Sequence, residues 1–161
     1  MKLLPRTLLD ELAARAHASP RRRAHHNVHA DASDPVQRFF VVVDRDSYVR
    51  PHRHRTRSEL ALVLRGGFDV VTFDDRGVVG ARYAVGESTP QMGYELPPDT
   101  WHTLIARQDG SAFLEIKQGP YDPATSAEFA PWAPAEGDAL AQRFVRWARG
   151  AVPGSVATHI E

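Results

Sequence analysis

Apolar residues recur at three- and four-residue steps over residues 7–17, where Leu8, Leu9, Leu12, Ala13 and Ala16 would share one face of an amphipathic helix that stops before Pro20. From Arg38 to Lys117 the pattern changes. Short apolar or alternating runs follow one another at 39–43, 48–54, 59–64, 68–73, 78–84, 101–106 and 112–117. Turn-forming stretches separate them, among them Arg65-Gly66-Gly67, Asp74-Asp75-Arg76-Gly77, Pro97-Pro98-Asp99 and Gln108-Asp109-Gly110. Short strands at such regular spacing predict an antiparallel sandwich or barrel. Past Gly119 the chain turns rich in proline and alanine and reads as an extended wrap, pinned by Tyr121, Phe129 and Trp132. A second helix is predicted from Gly137 or Asp138 to Arg149, with Asp138 as its cap and Leu140, Phe144, Val145 and Trp147 as its apolar positions. The last dozen residues carry no pattern. No repeat and no long linker divides the chain, so one domain is expected: an N-terminal helix and arm over 1–30, a β-barrel over 36–120, and the wrap and C-terminal helix over 121–161.

Composition narrows the chemistry more than the fold. A chain of 161 residues is the size of one domain and buries roughly two thirds of its unfolded surface. Its 20 basic and 20 acidic side chains cancel, and no aromatic-basic stripe is present, which argues against nucleic acid and anionic membranes as partners. There is no cysteine, so disulfides, thiolate metal sites and cysteine nucleophiles are excluded, leaving histidine and carboxylate ligands. Pro5 and Arg6 interrupt residues 1–9, which lack the apolar core of a secretory signal, and no window reaches the length of a membrane span. The expected address is the cytoplasm.

The stretch with the most chemical content is Pro51-His52-Arg53-His54, followed by Glu59 and Gly66. Side chains alternate across a strand, so His52 and His54 face the same way and can converge on one point. A hairpin through residues 55–58 would return the Glu59 carboxylate beside them. His102, opening a later strand, is the fourth candidate. Three imidazoles and one carboxylate suit one divalent ion, Fe, Mn, Ni, Cu or Zn, without choosing among them. Lone histidines are more often surface or hydrogen-bonded residues, which is the reading given to His17, His25, His26 and His159.

The spacing of His52, His54, Glu59 and Gly66 resembles the first cupin motif, and Pro97-x-Asp99-x2-His102 resembles the second. Three positions depart from the common pattern: Asp46 and Asp99 stand where glycines are usual, and Ala106 replaces an asparagine. No ligand is lost. The resemblance implies a mainly β, single-domain cupin, a double-stranded β-helix or jelly-roll barrel with both helices packed outside. It extends to the WbuC-type cupin-fold metalloproteins through Ser19-Pro20-Arg21, Asn27-Val28-His29, Pro35-Val36-Gln37-Arg38, Lys117-Gln118-Gly119-Pro120-Tyr121 and the segment from Phe129 to Gly137. His25 departs from that pattern, where asparagine is expected. The WbuC resemblance links the chain to bacterial surface-polysaccharide gene clusters.

If 48–54 is one strand, Tyr48 and Arg50 lie on the ligand face, and the Arg50 guanidinium would receive a substrate carboxylate or phosphate. Glu115 and Lys117 share a strand face opposite Leu114 and Ile116; alternation alone favours an apolar inner face with a solvated pair outside, whereas the resemblance keeps a pocket lysine open. Residues 21–23, with Asn27 and His29, read either as a solvated charge run or as a segment closing the barrel mouth. Tyr48, Glu115 and Lys117 are therefore the candidate catalytic groups, and Arg50, Arg38, Asn27 and His29 the candidate substrate-binding ones. Three functions fit: a Lewis-acid enzyme isomerising or epimerising a small anionic, sugar-like molecule, an iron dioxygenase, or a non-catalytic binding module. A homodimer burying an outer sheet face is a further expectation, with no residues assigned to it.

Overall fold

A computed structural model describes residues 1–157; His159 lies outside the described residues. The elements in chain order are α1 (Thr7–Ala18), β1 (Arg23–Asn27), β2 (Val36–Val43), β3 (His52–Arg53), β4 (Glu59–Arg65), β5 (Gly67–Phe73), β6 (Val79–Gly86), β7 (Gly93–Leu96), β8 (Trp101–Ala106), β9 (Ser111–Gln118), β10 (Glu128–Phe129) and α2 (Ala141–Gly150). The strands form two antiparallel sheets, ordered β1-β2-β9-β4-β7 and β10-β3-β8-β5-β6. This is the antiparallel architecture that the periodicity predicts, and the mainly β jelly roll with outer helices that the resemblance implies.

Between the sheets, Val43, Ala61, Phe68, Val70, Leu104 and Phe113 form an apolar plug, with the Phe68 and Phe113 rings edge-to-face at 5.2 Å. The outside of the second sheet is covered by α2 and the C-terminal wrap: Val71, Phe73, Trp101 and Ile105 meet Phe144, Val145 and Trp132. The outside of the first sheet is covered by α1 at one end only, where Leu12 and Ala16 bury Val42 and Ala112. Gly77 shows how tightly the wrap lies. Its φ of +80° makes the turn between β5 and β6, and a Cβ there would come within 2.8 Å of the Trp132 ring.

Several expectations need correction. Of the strand expected over 48–54, only His52–Arg53 pairs in a ladder. Pro51 has no N–H to give, and the preceding carbonyls take side-chain donors instead: Tyr48 O from Arg23 Nη1, and Val49 O from the Thr103 hydroxyl. Helix α2 begins at Ala141 rather than near Asp138, whose carboxylate accepts the Leu140 N–H in the turn before it. Leu140 is left exposed there. The N-terminal and C-terminal segments do more than pack on the barrel, since they supply β1 and β10 to its two sheets.

Candidate metal centre

His52 and His102 are register partners across β3 and β8, so both imidazoles leave the second sheet on its inner face, and His54 follows two residues on. The Pro97-Pro98-Asp99 turn is fastened beside them by the Asp99 N–H, which donates to His54 O at 2.7 Å. Asp99 adopts φ +65°, a conformation in which glycine carries no penalty, and aspartate tolerates it better than most residues. Glu59 does not return by a hairpin. Strands β3 and β4 lie in different sheets, and residues 55–58 cross between them, so the carboxylate approaches the imidazoles from the opposite wall. One ligand atom each from His52, His54, Glu59 and His102 lies within 4.8 Å of the others.

The donor set fits a cation. His52 Nδ1 meets Arg50 O at 2.9 Å, His102 Nδ1 meets Thr100 O at 2.9 Å, and His54 Nδ1 meets Ser126 O. A carbonyl oxygen only accepts, so each Nδ1 carries the proton and each Nε2 presents a bare lone pair inward. His54 Nε2 then stands 3.0 Å from Glu59 Oε2, and buried His102 Nε2 has no hydrogen-bond partner. Lone pairs converging on a carboxylate, away from water, leave a shared positive ion as the partner that satisfies them together. Burial and the neighbouring His102 push the His52 pKa well below 6.5, and burial lowers that of His102, so both remain neutral ligands. Burial opposes charge on Glu59, yet its carboxyl is held below its usual range, with the Lys117 ammonium the permanent cation beside it.

Two groups reach the centre from behind Glu59. The Tyr94 hydroxyl donates to Glu59 Oε1 at 3.3 Å, and Lys117 Nζ lies 3.9 Å from Glu59 Oε2 and 2.6 Å from Glu115 Oε1. Tyr94 was not among the expected site residues. Its strand of four residues becomes visible only through its pairing with β4. Lys117 and Glu115 face inward with side chains 14% and 13% exposed, which overturns the reading of a solvated outer pair; Leu114 and Ile116 are on the outside. Burial and Glu59 raise the Glu115 pKa, whereas for Lys117 the two carboxylates offset the cost of burial and keep it protonated.

A cavity of about 440 Å³ is lined by this pair together with Asn27, His29, Phe39 and Tyr121. The basic run at its rim is strand β1 and its approach, where Arg21 and Arg23 both hold Glu136, at 2.6 and 2.7 Å. The structure thus brings four expected residues, Asn27, His29, Glu115 and Lys117, to one cavity beside the metal ligands. Three others point elsewhere. Tyr48 is buried under α2, with its hydroxyl donating to Pro134 O at 2.8 Å. Arg50 lies over the Phe129 ring and donates to Ala130 O at 3.1 Å, tying down the wrap. Arg38 alternates with Gln37 and Phe39, so it leaves the outer face and pairs with Asp34 at 2.6 Å.

Two antiparallel sheets rolled around a convergent three-histidine, one-glutamate cluster make the cupin fold, with a donor set that could hold a metal ion. The chain belongs to the family described as Domain of unknown function (DUF6016), whose model matches residues 4–85. No curated protein matches the sequence. Among solved structures, KdgF from Halomonas sp. is 20% identical over 66% of this chain and 86% of its own, with a TM-score of 0.50. An oxalate oxidase in complex with glycolate is 16% identical over 71% of this chain and 58% of its own, with a TM-score of 0.52. CapF, a capsular polysaccharide assembling protein from Staphylococcus aureus, is 17% identical over 69% of this chain and 32% of its own, at 0.52. These likenesses establish the shared fold. Among the described residues no helix is long and apolar enough to cross a membrane.

Proposed function

We propose that this chain is a metal-dependent enzyme that isomerises or epimerises a small anionic, sugar-like molecule. The observation that carries the reading is the Lys117–Glu115 pair, which lines the cavity while its lysine faces Glu59. His52, His54, Glu59 and His102 would hold a divalent ion, Fe, Mn, Ni or Zn, which would supply Lewis acidity at a substrate carbonyl. Lys117, with Asn27 and His29 across the cavity, receives the substrate's anionic and hydroxyl groups. Glu115 takes the proton from the carbon next to the carbonyl and, in isomerisation, returns it to the neighbouring carbon on the same face, so no oxidant is consumed; epimerisation would need a second proton donor on the opposite face. The raised pKa of Glu115 suits a carboxyl that must both accept and give back a proton. The WbuC resemblance, together with the likeness to CapF, supports a substrate from surface-polysaccharide synthesis.

The test is solvent exchange. Metal-replete protein is incubated in deuterated buffer under nitrogen with a panel of sugar acids, and proton spectra are followed. Deuterium entering beside the carbonyl, lost in Glu115→Gln at unchanged metal content, is the expected result. Binding without exchange would make the protein a ligand-binding module, and oxygen consumption would make it a dioxygenase; either overturns the proposal.

A further inference from the structure

The two sheets are covered unequally on their outer faces. Helix α2 and the wrap close the second sheet, whereas α1 covers the Val42 and Ala112 end of the first and leaves its other end open. The open part is apolar: Leu60 and Val36 are 36% and 44% exposed, and Leu62, Leu114 and Ile116 are half-buried beside them. Ladder registers align these residues in rows. One row across β2, β9, β4 and β7 reads Arg38, Ile116, Leu60, Glu95, and the next reads Phe40, Leu114, Leu62, Gly93. The first row is cationic at one edge, anionic at the other and apolar between. Arg38 spends Nε on Val36 O and Nη2 on Asp34, which leaves Nη1 for a further partner.

We infer that this face is the contact between two copies of the chain, related by a two-fold axis that runs along the strands midway between β9 and β4. That operation keeps each row at its own level and reverses its order, so Leu60 of one copy meets Ile116 of the other, and Arg38 meets Glu95 twice. Strands about 4.8 Å apart put both charged residues about 7 Å from the axis. Facing sheets cross at about 30°, which displaces each charge from its partner by only about 4 Å, within the reach of an arginine. Charge complementarity that is symmetric about one axis selects a second copy over an unrelated apolar partner. The inference is independent of the metal chemistry.

Sedimentation of the full chain from low to high micromolar concentration tests it. The wild type is expected to dimerise, and Arg38→Glu and Glu95→Arg each to weaken the dimer by at least about tenfold, because each sets like charges face to face twice. Mixing those two variants must restore a dimer, since both contacts are then attractive in the mixed pair. Leu60→Glu, at the centre of the same row, gives monomers with an unchanged circular dichroism spectrum. A monomeric wild type, a dimer that survives Leu60→Glu, or two charge variants that stay monomeric when mixed would each overturn the inference.

Discussion

Replacing Glu59 by glutamine removes the one anionic ligand while conserving its shape. In the wild type, an ion at 100 times its dissociation constant stabilises the folded chain by about 2.7 kcal/mol. For a domain of this size each kcal/mol moves the midpoint by about 2–4 °C, so chelation should lower it by roughly 5–11 °C. Hydrogen-bond partners of metal ligands are worth about 10- to 100-fold in affinity, and the only carboxylate ligand contributes at least the upper value. With affinity reduced about 100-fold, the same ion concentration equals the new dissociation constant, and the increment falls to about 0.4 kcal/mol, roughly 1–2 °C. Melting of chelated protein and of protein supplied with Mn, Ni or Zn measures both numbers on one plate. A Glu59→Gln protein that keeps more than half of the wild-type metal increment would refute the assignment of Glu59 as a ligand.

Tyr94→Phe removes the hydroxyl that holds Glu59 Oε1 and should weaken metal binding about tenfold without changing the fold, as read by competition with a fluorescent chelator. In chelated protein, burial lowers His102 and pushes His52 well below its ordinary value, so on acidification the unfolded chain takes up two protons that the folded chain resists. Stability is therefore lost as pH falls below about 6.5, with these two groups contributing a slope approaching about 2.7 kcal/mol per pH unit; a flat melting profile across mildly acid pH would contradict this. Gly77→Ala places a methyl group against Trp132 at positive φ and should cost about 1–3 kcal/mol by denaturant titration.

Much of the architecture is legible in the chain because most strands bury one face against an apolar plug. The run at 101–106 coincides with β8, and those at 59–64 and 112–117 fall within β4 and β9. Strand β1, Arg-Ala-His-His-Asn, escapes notice because one face looks into a polar cavity and the other lies under α1. Strands β7 and β10, of four and two residues, are too short to show a period. The shared face of His52 and His54 is readable from spacing because alternation is local, whereas Glu59 and His102 join them through the resemblance to the cupin motifs. The supports of these residues are not readable. A four-residue link does not reveal whether the chain stays in a sheet or crosses to the other, and alternation groups Glu115 with Lys117 without saying which side is inside. Where a barrel has a polar centre, the usual assignment inverts: Leu114 and Ile116 go out and the ion pair goes in. Asp99 is the converse case, a departure from the motif explained by a backbone that keeps the glycine-like conformation with an aspartate in it.

Three imidazoles come from one wall of the jelly roll and the carboxylate from the other, so a cation bound among them would span the gap and set its width near the mouth. Ionic radius then becomes a mechanical variable. A smaller ion would draw Glu59 inward and, through its contact with Lys117, shift the lining of the neighbouring cavity, coupling the choice of metal to the size of molecule admitted.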